Sequence, residues 1–324
     1  MRFFQCADLA LAAIAYLRRR LKDRNAARLA RSLGIGGAAG LGSNIYALTV
    51  MASSLRDDSL LADAHAVSQL ITDDLIAADK RLDVIGGSAG AILALLRLYR
   101  DTKADDVLMR AVRCGEHLLR QDRVGSEGRR SWIGQGFGTQ GLNGMSHGAA
   151  GFAFALASLA ATTGREDFGL AAAECVAFEN SSYDGGRHNW PDRRHAGEPG
   201  WACRWCHGAP GIGMSRASLL KRGAMEAEIL RVDIHNAITG SDRCWPTEID
   251  TLCCGTLGIV EFFCEAAEAI DNSEVRDIAA QRLAAVVQAA SLAGDYRWNS
   301  GKQQFNLGLF RGIAGVGYTL LRRV

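Results

Sequence analysis

The phrase Gly-x-x-Gly followed by an apolar run occurs six times in this chain, and no other feature restricts its fold as much. The glycine pairs are Gly37/Gly40, Gly87/Gly90, Gly148/Gly151, Gly208/Gly211, Gly255/Gly258 and Gly312/Gly315. Self-similarity at this period marks a repeat architecture, in which one unit cannot bury its apolar face alone. Each pair opens a stretch that is apolar nearly all round, such as Ala91–Tyr99, as expected of a buried helix. Between these stretches lie segments with charges on a 3.6-residue period, such as Asp101–Arg120 and Ser273–Leu292, which read as amphipathic outer helices. The pattern predicts an all-α fold of repeated helical hairpins, closed into an α/α toroid with inner helices as core and outer helices as sleeve. The glycines let neighbouring backbones approach where the inner helices begin.

Along the chain, residues 9–22 read as an outer helix with no Gly-x-x-Gly partner before it. Inner helices follow the glycines near 34–42 and 83–90, each trailed by an outer segment, Ser59–Arg81 and Asp101–Arg123. Residues 124–146 are glycine-rich and polar and read as a long loop or short ribbon. Asn180–Arg204 is a second long loop, holding Trp190, Pro191, Asp192, Trp201 and Cys203. Long loops in a compact domain are usually functional.

With four prolines and no low-complexity run, nothing reads as a linker, so residues 1–324 are expected to form one domain. The net charge of +2 argues against a nucleic-acid footprint and against membrane attachment by charge. No apolar run reaches the length of a membrane span. Leu9–Leu17 is followed by Arg18-Arg19-Arg20 and lacks a small-residue cleavage site, so it does not read as a signal peptide. Nine cysteines scattered through helical stretches do not form a secreted disulfide framework and fit a reducing cytoplasm.

Aligning the six units on their second glycine brings chemistry into register. Four places before it stand Gly36, Gly86, His147, His207, Cys254 and Arg311; one place earlier stand Ile35, Ile85, Ser146, Cys206, Cys253 and Phe310. Cys206, Cys253 and Cys254 therefore start equivalent turns of consecutive units. The competing reading is three small buried hydrophobes. Equivalent placement favours a metal, and zinc suits three thiolates with a fourth position left open. His147 shares the ligand register, which makes it a catalytic candidate rather than a helix-capping histidine. His207, beside a ligand, is expected to act in catalysis or substrate orientation, or to support the ligands. Asp83, seven before Gly90, reads as a helix cap or as a functional carboxylate. Cys6, Cys114, Cys175, Cys203, Cys244 and Cys264 read as core or bystanders, and His65, His117, His188, His195 and His235 as surface or loop residues.

The ordered set Asp83-Val84-Ile85-Gly86-Gly87-Ser88-Ala89-Gly90, Ser146-His147-Gly148-Ala149-Ala150-Gly151, Trp205-Cys206-His207-Gly208-Ala209-Pro210-Gly211 and Cys253-Cys254-Gly255 resembles the LanC-type lanthionine cyclases. It is most similar to the C-terminal cyclase domain of the LanM class II lanthipeptide synthetases, over nearly the whole chain. The resemblance implies a toroid of seven inner and seven outer helices, with zinc held by Cys206, Cys253 and Cys254. It implies acid/base residues at His147 and Asp83. Many relatives have Cys-His where this chain has Cys253–Cys254; an all-thiolate set, as in one LanM subgroup, implies a more electron-rich metal. Two departures are expected: no dehydratase domain precedes the cyclase, and the first family repeat is missing, so the chain reads as N-terminally truncated.

The implied activity is a zinc-dependent intramolecular Michael addition. A peptide cysteine thiolate adds to dehydroalanine or dehydrobutyrine and forms a thioether ring. The implied partner is a dehydrated ribosomal precursor peptide, with a dehydratase or N-terminal synthetase part supplied separately. Two rivals are a non-catalytic zinc-stabilised peptide-binding scaffold, and an enzyme adding glutathione to dehydrated residues.

Overall fold

The computed structural model describes residues 2–194, 197–298 and 306–323. Among them are fourteen helices and one two-stranded ribbon. Their contacts gather into two compact units, Met1–Asp122 with Gly134–Gly136, and Arg123–Ile133 with Phe137–Val324.

The first unit holds α1 (Arg2–Lys22), α2 (Ala26–Leu33), α3 (Leu41–Leu55), α4 (Asp58–Gln69), α5 (Asp73–Ala77), α6 (Ser88–Thr102) and α7 (Asp105–Arg120). Here α3 pairs with α4 and α6 with α7 as hairpins, while α3 and α6 pack side by side. The stretch expected as one outer helix over Ser59–Arg81 is broken. α4 ends at Gln69, and Thr72 caps a new short helix by accepting the Leu75 N–H. The helix expected over 9–22 begins earlier, at Arg2.

The second unit opens with β1 (Arg123–Ser126) and β2 (Arg129–Trp132), an antiparallel ribbon pairing Arg123 with Trp132. It continues with α8 (Ala149–Thr163), α9 (Glu166–Asn180), α10 (Ala209–Lys221), α11 (Ala227–Arg243), α12 (Thr256–Ile270), α13 (Ser273–Ala293) and α14 (Ile313–Arg323). Hairpins α8–α9, α10–α11 and α12–α13 stand with α10 packed against both α8 and α12, and α12 against α14. The inner helices α8, α10 and α12 are buried nearly all round, as their apolar composition requires: in α8 every residue from Ala149 to Leu159 except Phe154 is buried. The helix expected to be buried after Gly315 is not: in α14 Ile313, Tyr318 and Leu321 are exposed. The core among α10 to α13 is built on Ile212, Ile259, Phe262, Phe263 and Trp190. Burying each large side chain contributes roughly 1.5–3 kcal/mol.

The inner helices begin close together because glycine allows it. A Cβ on Gly37 would fall 2.8 Å from Gly90 Cα, and one on Gly90 would fall 2.3 Å from Gly37 N. The main chain of the turn leading into α3 thus meets that of the first turn of α6 with no side chain between them.

One backbone device recurs in the turns. The helix-starting N–H returns to the carbonyl seven residues earlier: Leu41 to Gly34 (2.8 Å), Ala89 to Leu82 (2.9 Å), Ala149 to Leu142 (2.9 Å), Thr256 to Ile249 (2.8 Å) and Ile313 to Asn306 (2.8 Å). The Cys206 turn is different. The Asn189 amide is inserted there, its Nδ2 donating to Ala202 O (3.1 Å) while its Oδ1 accepts from Ala209 N (2.9 Å). Gly208, at φ 104°, closes this wider turn in a conformation that side-chain-bearing residues rarely adopt.

Candidate metal centre

The turns before α8, α10, α12 and α14 are joined edge to edge by their main chains. Ser146 N donates to Cys206 O (3.2 Å), Cys206 N to Cys253 O (3.4 Å) and Cys253 N to Phe310 O (2.8 Å). These are the four positions that the glycine alignment equates, so the register read from the sequence exists as a run of hydrogen bonds. Trp205 stacks on Phe310 at 4.8 Å and braces the same neighbours.

This run brings Cys206, Cys253 and Cys254 together with all three sulfurs within 4.8 Å of one another. Cys254 Sγ lies 3.8 Å from Cys206 Sγ and 3.4 Å from Cys253 Sγ. A tetrahedral zinc with bonds of about 2.3 Å separates its sulfur ligands by about 3.8 Å, so the cluster has the spacing of a zinc-ligand set. Thiolates also select soft or borderline ions.

Charge in the cluster is uneven. The contacts of Cys254 with Cys206 and Cys253 prevail over burial, and with Arg311 and Arg204 close by its thiol is held down at about 2. Cys253 pulls Cys206 downward, but the contact with Cys254 and burial outweigh it, and Cys206 is pushed up to about 11. Cys253 is pushed up by its hydrogen bonds to Cys206 and Cys254 and by burial. Cys254 is therefore the first thiolate.

Cys254 opens onto a cleft of about 870 Å³ walled by Trp201, Arg204, Ile249, Trp298 and Arg311. Among the described residues neither Arg204 nor Arg311 is paired with a carboxylate; the cysteines are what they face.

His147 is half-buried, its ring 4.3 Å from Phe137 and 5.8 Å from the ring of His207. His207 is buried at 1% exposure. Its Nδ1 lies 3.1 Å from Asn143 O, which can only accept, so Nδ1 carries the proton and Nε2 faces Ser146 Oγ at 3.3 Å. Burial, helped by Arg194, lowers its pKa to about 4 against the pull of Asp192, so the ring is neutral near pH 7. Asp192 is gripped by Arg194 (2.6 Å) and lies 4.0 Å from His207 Nδ1.

The turn that carries His147 has its own support. Gly144 N donates to Glu179 Oε1 (2.7 Å), and Glu179 Oε2 accepts from Arg216 Nη2 (2.9 Å). Arg216 also donates to Asp233 (2.8 Å). Asp83 belongs to the first unit, where its Oδ1 accepts the Gly86 N–H (2.7 Å). Asp79 holds that turn from outside, accepting from Arg81, Leu82 and Ser88.

The remaining candidates separate cleanly. Cys114 and Cys175 are core residues. His117, expected at the surface, is 4% exposed because its Nε2 bonds Asp79 O at 2.9 Å. His195 and the Cys6 side chain lie outside the described residues. Sequence reading missed Asn189, Glu179, Arg216, Asp79 and Arg194. Only Asp79, four residues before Asp83, stood near enough to a motif to be found.

Among the described residues no helix is long and apolar enough to cross a membrane. No curated protein sequence matches the chain. Solved structures similar to this chain include the following three. Nisin cyclase has 15% identity and a TM-score of 0.65, over 94% of this chain and 84% of that one. The Lin0763 protein from Listeria innocua has 12% identity and a TM-score of 0.54, over 83% and 80%. A sugar epimerase from a ruminal bacterium has 12% identity and a TM-score of 0.53, over 85% and 86%. At such identities the likeness speaks for the fold, the all-α, α/α toroid type. The family model described as Lanthionine synthetase C-like protein matches residues 3–324. With that match across nearly its whole length, the chain belongs to the lanthionine synthetase C-like family.

Proposed function

We propose that this chain is a zinc-dependent lanthipeptide cyclase. It closes thioether rings by adding peptide cysteine thiolates to dehydroalanine or dehydrobutyrine of a dehydrated ribosomal precursor peptide. The observation that carries this reading is the trio Cys206, Cys253 and Cys254, which shares zinc-ligand spacing and borders a cleft of about 870 Å³. The fold alone is also that of a sugar epimerase, so it does not select the chemistry. Three clustered thiols are unsuited to epimerising a sugar and suited to handling a thiol nucleophile.

Zinc held by Cys206, Cys253 and Cys254 would supply the positive charge that keeps a visiting thiol ionised near neutral pH. The cleft binds the peptide between Trp201 and Trp298 and excludes water from the reacting pair. Arg204 and Arg311 keep anionic sulfur favourable at the Cys254 wall. As the carbon–sulfur bond forms, charge moves to the α-carbon and its amide oxygen. His147 is the proposed acid that delivers a proton to the α-carbon. His207, neutral and tied at both ring nitrogens, orients His147 by ring contact and fixes the Ser146 and Asn143 turn. The acid/base role of Asp83 rests on its motif alone. A dehydratase acting on serine or threonine must supply the substrate.

The test uses purified protein and a dehydrated peptide with one free cysteine. Ring closure conserves mass and removes one alkylatable thiol. His147→Ala is expected to slow closure by 10²- to 10⁴-fold, the usual contribution of a positioned acid. Cys254→Ala is expected to lose zinc and activity together. Closure at wild-type rates in both variants refutes the reading; binding without closure establishes the scaffold instead, and a glutathione mass adduct establishes the intermolecular reaction.

A further inference from the structure

Cys203 and Cys244 form a second thiol pair, outside the three sulfurs of the metal centre. Cys203 precedes Cys206 by three residues and lines the same cleft as Cys254. Its Sγ donates to Gly240 O at 3.7 Å. Gly240 sits in the last turn of α11, and Cys244 is the residue that ends that helix. Residues four apart on a helix lie one above the other on one face, so a thiol resting on the Gly240 carbonyl meets the side chain of Cys244. The Cys244 N–H turns to Asp242 O, which leaves the Gly240 carbonyl to the Cys203 thiol. Each thiol perturbs the ionisation of the other, as neighbouring groups do. Their exposures differ: Cys203 is buried and Cys244 half-buried. The contact with Cys244, with burial, raises the Cys203 pKa, and the contact with Cys203 lowers that of Cys244. An accessible thiol with thiolate character beside a buried second one is the arrangement of an attacking and a resolving cysteine.

We propose that Cys203 and Cys244 are a thiol–disulfide exchange site, taking low-molecular-weight disulfides of the glutathione class as oxidant. The Cys244 thiolate attacks one sulfur of the oxidant, breaks its S–S bond and releases one thiolate, which takes up a proton from water. The Cys203 thiol gives its proton to solvent and attacks the Cys244 sulfur of the mixed disulfide, releasing the second small thiol. Two protein S–H groups become one S–S bond, and one small disulfide becomes two thiols. The new bond ties the segment entering the Cys206 turn to the end of α11, on the wall of the peptide cleft.

The experiment incubates the purified full chain with oxidised glutathione, then digests it without reductant by trypsin and a glutamyl endopeptidase. Cuts after Arg194, Arg204, Arg243 and Glu248 place Cys203 and Cys244 in separate short peptides, free of Cys206, Cys253 and Cys254. The expected result is one cross-linked pair of these peptides, two hydrogens lighter than their sum. Cys203→Ser is expected to stop at the glutathione adduct on Cys244, and Cys244→Ser to lower the cross-link at least tenfold. The wild-type map decides alone if either variant fails to fold. The proposal is overturned by no cross-link, by cross-links confined to Cys206, Cys253 and Cys254, or by an adduct on Cys244 that never resolves onto Cys203.

Discussion

Glu179→Ala tests the view that the His147 turn is held by a buried ion network. Glu179 and Arg216 are both 0% exposed, and the carboxylate bonds both Arg216 and the Gly144 N–H. Removing one partner of a buried ion pair costs about 3–5 kcal/mol. Arg216 keeps Asp233 and Asn180 Oδ1, so the low end, about 3 kcal/mol, applies. The orphaned Gly144 N–H adds about 1 kcal/mol. The sum of about 4 kcal/mol corresponds to a Tm lower by roughly 8 °C, taking about 2 °C per kcal/mol for a chain of this size. Thermal unfolding followed by circular dichroism reads it. Arg216→Met shares the same pair, so the double variant is expected to lose at least about 2 kcal/mol less than the sum of the single losses. A Glu179→Ala shift under about 2 °C, or strictly additive losses, refutes the network as a support.

Three further outcomes follow from particular contacts. Asn189→Ala strips the Cys206 turn of the amide bridging Ala202 O and Ala209 N, and Asn189→Asp restores only the acceptor; thermal unfolding should show both destabilised, Asn189→Ala by about 2–4 kcal/mol. Gly90→Ala would place a methyl 2.0 Å from Val84 O and 2.3 Å from Gly37 N, so the variant should fold poorly, read by soluble yield and Tm, with a cost of about 3 kcal/mol or more. Glu265 is held below its ordinary value of 4.5: burial works against this, but Lys221 and Arg322 prevail. Because the folded state depresses this pKa, its stabilisation is present above 4.5 and lost as pH falls through the folded value. The Tm gap between wild type and Glu265→Gln should therefore narrow on acidification.

The hairpin order and the metal trio were legible because both are written in local phrases. Gly-x-x-Gly marks where each inner helix starts, and alignment on it places Cys206 with Cys253, and His147 with Cys254 one residue on, without any coordinates. The supports were not legible. Asn189 acts twenty residues from Ala209, and Glu179 meets Arg216 across thirty-seven, with nothing in the intervening composition to pair them. His117 was read as surface because it lies on an amphipathic helix; its partner is a main-chain carbonyl, which no sequence pattern displays. The break after Gln69 was missed for a related reason: an apolar period continues through it, and only the Thr72 cap marks the stop.

The main-chain run Ser146–Cys206–Cys253–Phe310 separates where a ligand sits from what the ligand is. Backbone amides set each neighbour's height, and the Ser146 hydroxyl on Cys206 O and the Trp205–Phe310 stack only reinforce that spacing. Serine, cysteine and phenylalanine already occupy equivalent seats. Such a collar can exchange donor atoms one seat at a time: a cysteine or histidine installed at Phe310 would enter at the level of the existing sulfurs, giving this scaffold a route to new coordination sets without redesign of its helices.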